Sequence, residues 1–164
     1  MKTIVKATMT SIKEIMKIYE DARAYMRATG NATQWAGGYP SEALICEDIA
    51  RGNFYLCMDE GKIVGVFYFA VENDPTYANI YDGVWLNDEP YAVIHRIAVS
   101  RDSHGKGVAA FIFDSCFEKC SNLKIDTHRD NLPMQRALEK CGFVRCGIIY
   151  LANGDERVAF QRNG

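Results

Sequence analysis

The sequence predicts an α/β chain in the α+β sense: one central mixed sheet with helices on both faces. Three observations predict it. A single β-α-β crossover sits mid-chain, where the apolar run 91–99 leads through a glycine loop into an amphipathic stretch and then to a second short strand, 123–127. Antiparallel hairpin signals flank it, Asp59-Glu60-Gly61-Lys62 between runs 54–58 and 63–71, and Asn153-Gly154 between runs 143–151 and 157–161. Helix-period segments interleave with these strands, and such alternation closes a sheet covered on both sides.

In chain order, residues 3–7 have short strand character. Thr10 or Ser11 can cap a helix with apolar positions Ile12, Ile15, Met16, Tyr19, Ala22 and Met26, ending near Gly30. The glycine-punctuated loop 31–40 carries Trp35 and Tyr39, large aromatics that either wall a pocket or anchor the loop to the core. Ser41 caps a second helix that Gly52 stops. After the first hairpin, residues 72–90 form a polar excursion around a short strand at 79–86. The crossover helix has apolar positions Val108, Phe111, Ile112, Ser115 and Cys116 at i, i+3, i+4, i+7 and i+8. Asp130 or Asn131 caps the last helix, with Pro133 in its first turn and Gly142 at its end. The order is β-α-α-β-β-β-α-β-α-β-β.

Composition narrows the function. The 164 residues carry a net charge of -2 with both signs mixed along the chain, which supports a single domain over 1–164 and argues against nucleic acid as a partner. The first six residues do not read as a signal peptide, and the longest apolar run, 63–71, is too short to span a bilayer, so a cytoplasmic protein without a membrane partner is expected. The six cysteines form no C-x-x-C pair and no metal-ligand spacing with the three histidines, and they read as reduced thiols with no metal site.

The chemistry centres on the glycine loop. A glycine turn between strand and helix aims unpaired N–H groups and the positive end of the helix dipole at one point, which suits a phosphate. Gly105-Lys106-Gly107 is not a Walker A loop. It matches G-x-G-x-x-A at Gly105, Gly107 and Ala110, with Asp126 near the place of a ribose acid, so a dinucleotide-binding oxidoreductase is one reading. Five polar residues separate Val99 from Gly105 and no β-α-β unit repeats, and both features oppose that reading.

In another frame, His104-Gly-Lys-Gly107-Val-Ala109 resembles the Gln/Arg-x-x-Gly-x-Gly/Ala loop of the GNAT superfamily of acyl-CoA-dependent N-acetyltransferases, with His104 in place of Gln or Arg. Ile97-Ala98-Val99 resembles the family's fourth strand. Asn131 with Met134, Leu138-Glu139-Lys140 and Gly142-Phe143 resembles its Asn-x-x-Ala…Leu-Tyr-x-Lys-x-Gly-Phe segment. The resemblance implies an acyl-CoA N-acyltransferase fold and transfer of acetyl from acetyl-CoA, as co-substrate, to a primary amine of a small molecule, peptide or protein. It places the cofactor on the backbone of Ile97, Ala98 and Val99, on His104, Gly105, Lys106, Gly107, Val108 and Ala109, and on Asn131. A homodimer is left open.

Attack by an amine needs a base, and His95, two residues before Ile97, is the candidate, since a free imidazole titrates near ~6.5. The tyrosine that protonates the thiolate in this family is Leu138 here, which leaves Tyr150, His128 or Cys146, or solvent, for that step. The missing tyrosine also motivates a non-catalytic acyl-CoA-binding module as the alternative. Trp35, Tyr39, Trp85 and His128 are the candidate acceptor contacts, by position and aromatic content.

Overall fold

The computed structural model describes residues 1–164. Its elements run β1 (Lys2–Lys6), α1 (Ile12–Ala28), α2 (Glu42–Ala50), β2 (Phe54–Asp59), β3 (Lys62–Val71), β4 (Ala92–Val99), α3 (Val108–Lys119), β5 (Asn122–Thr127), α4 (Leu132–Lys140), β6 (Val144–Tyr150) and β7 (Glu156–Asn163). That is the order expected from the sequence. Seven strands form one sheet in the order β1-β2-β3-β4-β5-β7-β6. Every neighbouring pair is antiparallel except β4 and β5, which the crossover helix α3 makes parallel. No helix is long and apolar enough to cross a membrane.

Each sheet face has its own core. One gathers Phe67, Ile94, Leu123 and Phe160 with Ile112 and Phe113 of α3 and Leu138 of α4. The other gathers Phe54, Tyr68, Val93 and Ala159 with Ile15, Ile18 and Tyr19 of α1 and Ile45 of α2. Burying one such phenylalanine contributes about 1.5–3 kcal/mol, so these two layers carry most of the fold. Gly65 fixes where α3 lies, because a Cβ there would come within 2.9 Å of both Val108 and Ile112. That contact holds the first turn of α3 against β3 and so sets the position of the glycine loop.

Two expectations need correction. The buried stripe of α3 is Val108, Ile112, Phe113 and Cys116, with Phe111 and Ser115 only half-buried. The stripe turns toward Phe113 because its ring packs edge-on against Phe143, with centroids 5.2 Å apart. Residues 79–86 form no strand. Pro75–Tyr77 is a short 3-10 turn, and the segment forms a β-bridge to β6 only between Tyr81 and Ile148, whose N–H groups exchange bonds of 2.8 and 2.7 Å. A ladder stops there because the chains cross at near contact: a Cβ on Gly83 would sit 1.8 Å from the carbonyl oxygen of Cys146. Helix capping at residue 131 resolves in favour of Asn131, whose side chain accepts from the N–H of Met134 at 3.2 Å.

Candidate active site

The site begins as a defect in the sheet. β4 and β5 pair only at Ala92 with Leu123 and Val93 with Lys124, and beyond these residues the strands part. On the other edge of β4, Val66 faces Ala98 while Tyr68 faces His95, so Arg96 and Ile97 together oppose Phe67 alone. This is a β-bulge, and Arg96 adopts the left-handed φ of 53° that it demands. The strain is held by side chains. Arg96 donates from Nε and Nη2 to Asp48 Oδ2 at 3.0 and 2.8 Å, its Nη1 donates to the Tyr39 hydroxyl at 3.2 Å, and its carbonyl accepts from the Tyr19 hydroxyl at 2.5 Å. The parted strands open a cleft of about 550 Å³.

His95 lines this cleft, and the only hydrogen bond of its ring joins Nε2 to Asp74 Oδ2 at 2.9 Å. Asp74 Oδ1 accepts from the N–H and hydroxyl of Thr76 at 2.9 and 2.7 Å. Burial alone would raise the Asp74 carboxyl, but its hydrogen bonds with His95 and Thr76 outweigh burial and hold it at about 2. An ionised Asp74 therefore faces Nε2, which fixes the tautomer with the proton on Nε2 and leaves the Nδ1 lone pair free. Across the split, Asp126 accepts from the Tyr77 hydroxyl at 2.6 Å. Burial raises the Asp126 carboxyl, against the pull of His95, the Tyr77 hydroxyl and Arg157. Burial, then the Asp126 charge, pushes the Tyr77 phenol well up, so Tyr77 stays a donor.

The cleft lining on β4 ends at Ile97; past the end of the strand, the loop from Ser100 turns through a 3-10 segment at Arg101–Ser103 into Gly105 and Gly107, with φ of 76° and 75°. Gly107 caps α3 with no side-chain bond to the helix, and a Cβ on either glycine would meet nothing within 4 Å. The start of α3 thus has no side-chain cap for its first N–H groups and open space beside both glycines, which fits a diphosphate. Thr127 lines the cleft, and its buried hydroxyl has no hydrogen-bond partner.

Of the residues singled out from sequence, the structure brings Trp35, Tyr39, His95, Ile97 and Asn131 to the cleft. Trp35 also packs edge-on against Tyr19 at 5.5 Å, so it both walls the cleft and anchors its loop. Gln34 bridges Asn31 and Asn131 at 2.8 and 3.1 Å, and Thr33 meets His128 Nε2 at 2.9 Å, which ties that loop to the far side of the cleft. Ala98 and Val99 continue β4 toward the loop, where His104, Gly105, Lys106 and Gly107 are exposed and Val108 and Ala109 begin α3. His104 packs against Tyr25 at 4.6 Å.

His128 and Trp85 lie outside the cleft's lining. His128 accepts at Nδ1 from the N–H of Asp130 at 3.0 Å, and burial, then the charge of Arg157, lower its pKa. Trp85 donates to the Tyr77 carbonyl at 2.9 Å and stacks with Lys124, whose Nζ lies 4.1 Å from its ring. Leu138 is fully buried in the core and presents nothing to the cleft. Tyr150 is half exposed against Tyr81, and Cys146 bonds to the Val144 carbonyl at 3.4 Å. The sequence passes over Arg96, Asp74 and Arg157 and offers Asp126 only as a ribose acid of the dinucleotide reading, yet all four are in the cleft wall. The one local signal for Arg96 was a charge inside an otherwise apolar strand.

A sheet split at its one parallel pair, with a glycine turn at the mouth of the split, defines an acyl-CoA N-acyltransferase fold. The acetyltransferase (GNAT) family model matches residues 13–143, and the chain belongs to that family. A GNAT-family acetyltransferase from Streptococcus agalactiae 2603 shares 32% identity over 99% of this chain and 95% of that chain, with a TM-score of 0.92. A second, from Listeria monocytogenes 4b F2365, has 18% identity and a TM-score of 0.72 over 98% and 94% of the two chains. The ribosomal-protein-S18-alanine N-acetyltransferase from Escherichia coli has 17% identity and a TM-score of 0.60 over 99% and 93%. The last two likenesses speak to the fold alone. A search of curated protein sequences finds no match.

Proposed function

We propose that the protein is an acetyl-CoA-dependent N-acetyltransferase that acylates a primary amine directly. The observation that carries this reading is the His95–Asp74 pair, with a free Nδ1, on the wall of the split between β4 and β5. Acetyl-CoA, when bound, supplies the acetyl group as a thioester. Gly105, Lys106, Gly107, Val108 and Ala109 would hold its diphosphate, with His104 beside them. Backbone of Ile97, Ala98 and Val99 past the bulge, and the side chain of Asn131, would hold the pantetheine arm.

The chain's own groups handle the protons. An alkylammonium titrates near ~10.4, so it must lose a proton to attack. His95 Nδ1 accepts that proton, and the imidazolium formed is stabilised by Asp74 through Nε2, as in other imidazole–carboxylate pairs. Leu138 has no proton to give, but an alkyl thiol titrates near ~8.5, so a thiolate leaves without a strong acid and takes its proton from solvent. The six cysteines are all free thiols, which supports a cytoplasmic setting.

Thiol release from acetyl-CoA across a library of small amines and peptides tests the reading. Turnover that His95→Ala abolishes supports it. Acetyl-CoA binding with no turnover on any amine favours the non-catalytic module that Leu138 suggests. Stabilisation by NAD and not by acetyl-CoA would revive the dinucleotide reading.

A further inference from the structure

We propose that the amine acylated here carries its own carboxylate, as a free amino acid does, with Arg157 binding that carboxylate while Asp126 and His95 receive the amino group. The proposal rests on the N-acetyltransferase reading above and narrows its acceptor. Arg157, near the start of β7, is only 8% exposed and lines the cleft. Its guanidinium makes one hydrogen bond, from Nη1 to the Glu156 carbonyl at 2.9 Å, and no carboxylate lies within 4 Å of it. Four of its five N–H donors have no partner in the protein, and Nε and Nη2 stay accessible to solvent on the cleft wall, where an anion can reach them. The neighbouring acids are held elsewhere: Glu156 faces Arg129 at 3.5 Å, and Asp126 accepts from Tyr77 on Oδ2.

The sheet register places the pieces. Asp126 pairs with Ala159, two residues from Arg157, so the two side chains share a face as diagonal neighbours, which stand about 7–8 Å apart in an antiparallel pair. They form no ion pair, and the interval between them is where a molecule with both charges fits. Its carboxylate meets Arg157 in the two-pronged geometry a guanidinium favours, and its ammonium meets Asp126. The pairing of Val93 with Lys124 puts His95 level with Asp126 across the split, so the amino group held at Asp126 faces the base. Trp35 and Leu151 leave an apolar wall for a side chain. A polyamine has no group for Arg157 and meets its charge.

The test is acetyl-CoA-dependent thiol release with each standard L-amino acid, its carboxamide and spermidine. The carboxamide has the same amine, more easily deprotonated, and lacks only the anion. At least one amino acid should exceed its carboxamide by roughly 10- to 100-fold in kcat/KM. Arg157→Met should bring that ratio near one, mostly through the amino acid KM, and Arg157→Lys, which keeps the charge in place of the fork, should fall between. Carboxamides or spermidine as good as the acids, or a preference that survives Arg157→Met, overturn the proposal. If no amine turns over, calorimetry of the same amino acids on the CoA-saturated protein decides. Binding that Arg157→Met and Arg157→Lys weaken keeps the carboxylate site while the transferase reading fails, and no binding of any amino acid sinks the site.

Discussion

The two ends of the cleft are built in opposite ways. At the mouth, the surface proposed for the diphosphate is backbone: a continuous stretch from Ile97 to Ala109, with two glycines in the left-handed region and open space beside each. At the far end, the surface is side chains drawn from separate elements: Trp35 and Tyr39 from the α1–α2 loop, Asp74 from the excursion, His95 and Arg96 from β4, Asp126 from β5 and Arg157 from β7. A site built from backbone N–H groups tolerates varied side chains. A side-chain site reads one acceptor, and each buried charge in it needs a named partner. Changes at the mouth should therefore act on acetyl-CoA affinity, and changes at the far end on turnover or the acceptor.

The largest effect is expected at His95. Removing a general base costs typically 10²–10⁴-fold, so His95→Ala should lower kcat by about that range while the KM for acetyl-CoA stays within about twofold. A large change in acetyl-CoA KM with kcat intact would erase the division between the two ends. Next is Arg96. Its loss leaves Asp48, 3% exposed, as a lone carboxylate under the bulge, and breaking a buried pair costs about 3–5 kcal/mol. Arg96→Ala should lower urea stability by that much, and adding Asp48→Ala should cost much less than the sum of the two changes.

The same contrast governs what could be read from the sequence. The element order was legible because periods of two and 3.6, caps such as Ser41 and turns such as Asn153-Gly154 are local. So was the glycine turn, whose function lies in consecutive residues. The far end was not. Arg96 stood out only as a charge in an apolar strand, and its role depends on a bulge that exists through pairing with β3. Asp74 looked like part of a polar turn until folding set it 2.9 Å from a histidine 21 residues away. Arg157 reads as an ordinary strand residue until the fold places it on the cleft wall with no carboxylate in ion-pair contact. Residues 79–86 misled for a related reason: their β-rich composition reflects packing of Trp85 on Tyr77 rather than a ladder.

Asp74 sharpens the contrast through pH. Its carboxyl is lowered from 3.8 to about 2, so it is ionised more readily folded than unfolded. Such a group stabilises the fold above its unfolded pKa, and the stabilisation is lost as pH falls from about 4 through about 2. The shift corresponds to about 2 kcal/mol, and the side chain is 16% exposed, so screening removes little of it. Asp74→Asn should be less stable than the parent by about that amount at pH 7, and denaturation curves should converge between pH 4 and 2. A stability gap independent of pH would assign the cost of the substitution to packing and not to the charge.

The smallest effect separates backbone from side chain at the mouth itself. Gly107 has φ of 75°, and a Cβ there meets no atom within 4 Å, so Gly107→Ala adds no clash. Its cost is the left-handed conformation alone, about 1–2 kcal/mol for an L residue with a Cβ. Relieving that strain turns the N–H groups at the start of α3 away from the diphosphate, which should raise the KM for acetyl-CoA by about 5- to 10-fold. Gly107→Asn, which tolerates the left-handed region better, should fall between alanine and glycine. Gly105→Ala, at φ of 76°, should repeat the pattern because the same physics holds there. An alanine that shifts the acceptor KM instead would mean that the loop reaches the far end of the cleft, and that the two ends are one side-chain site after all.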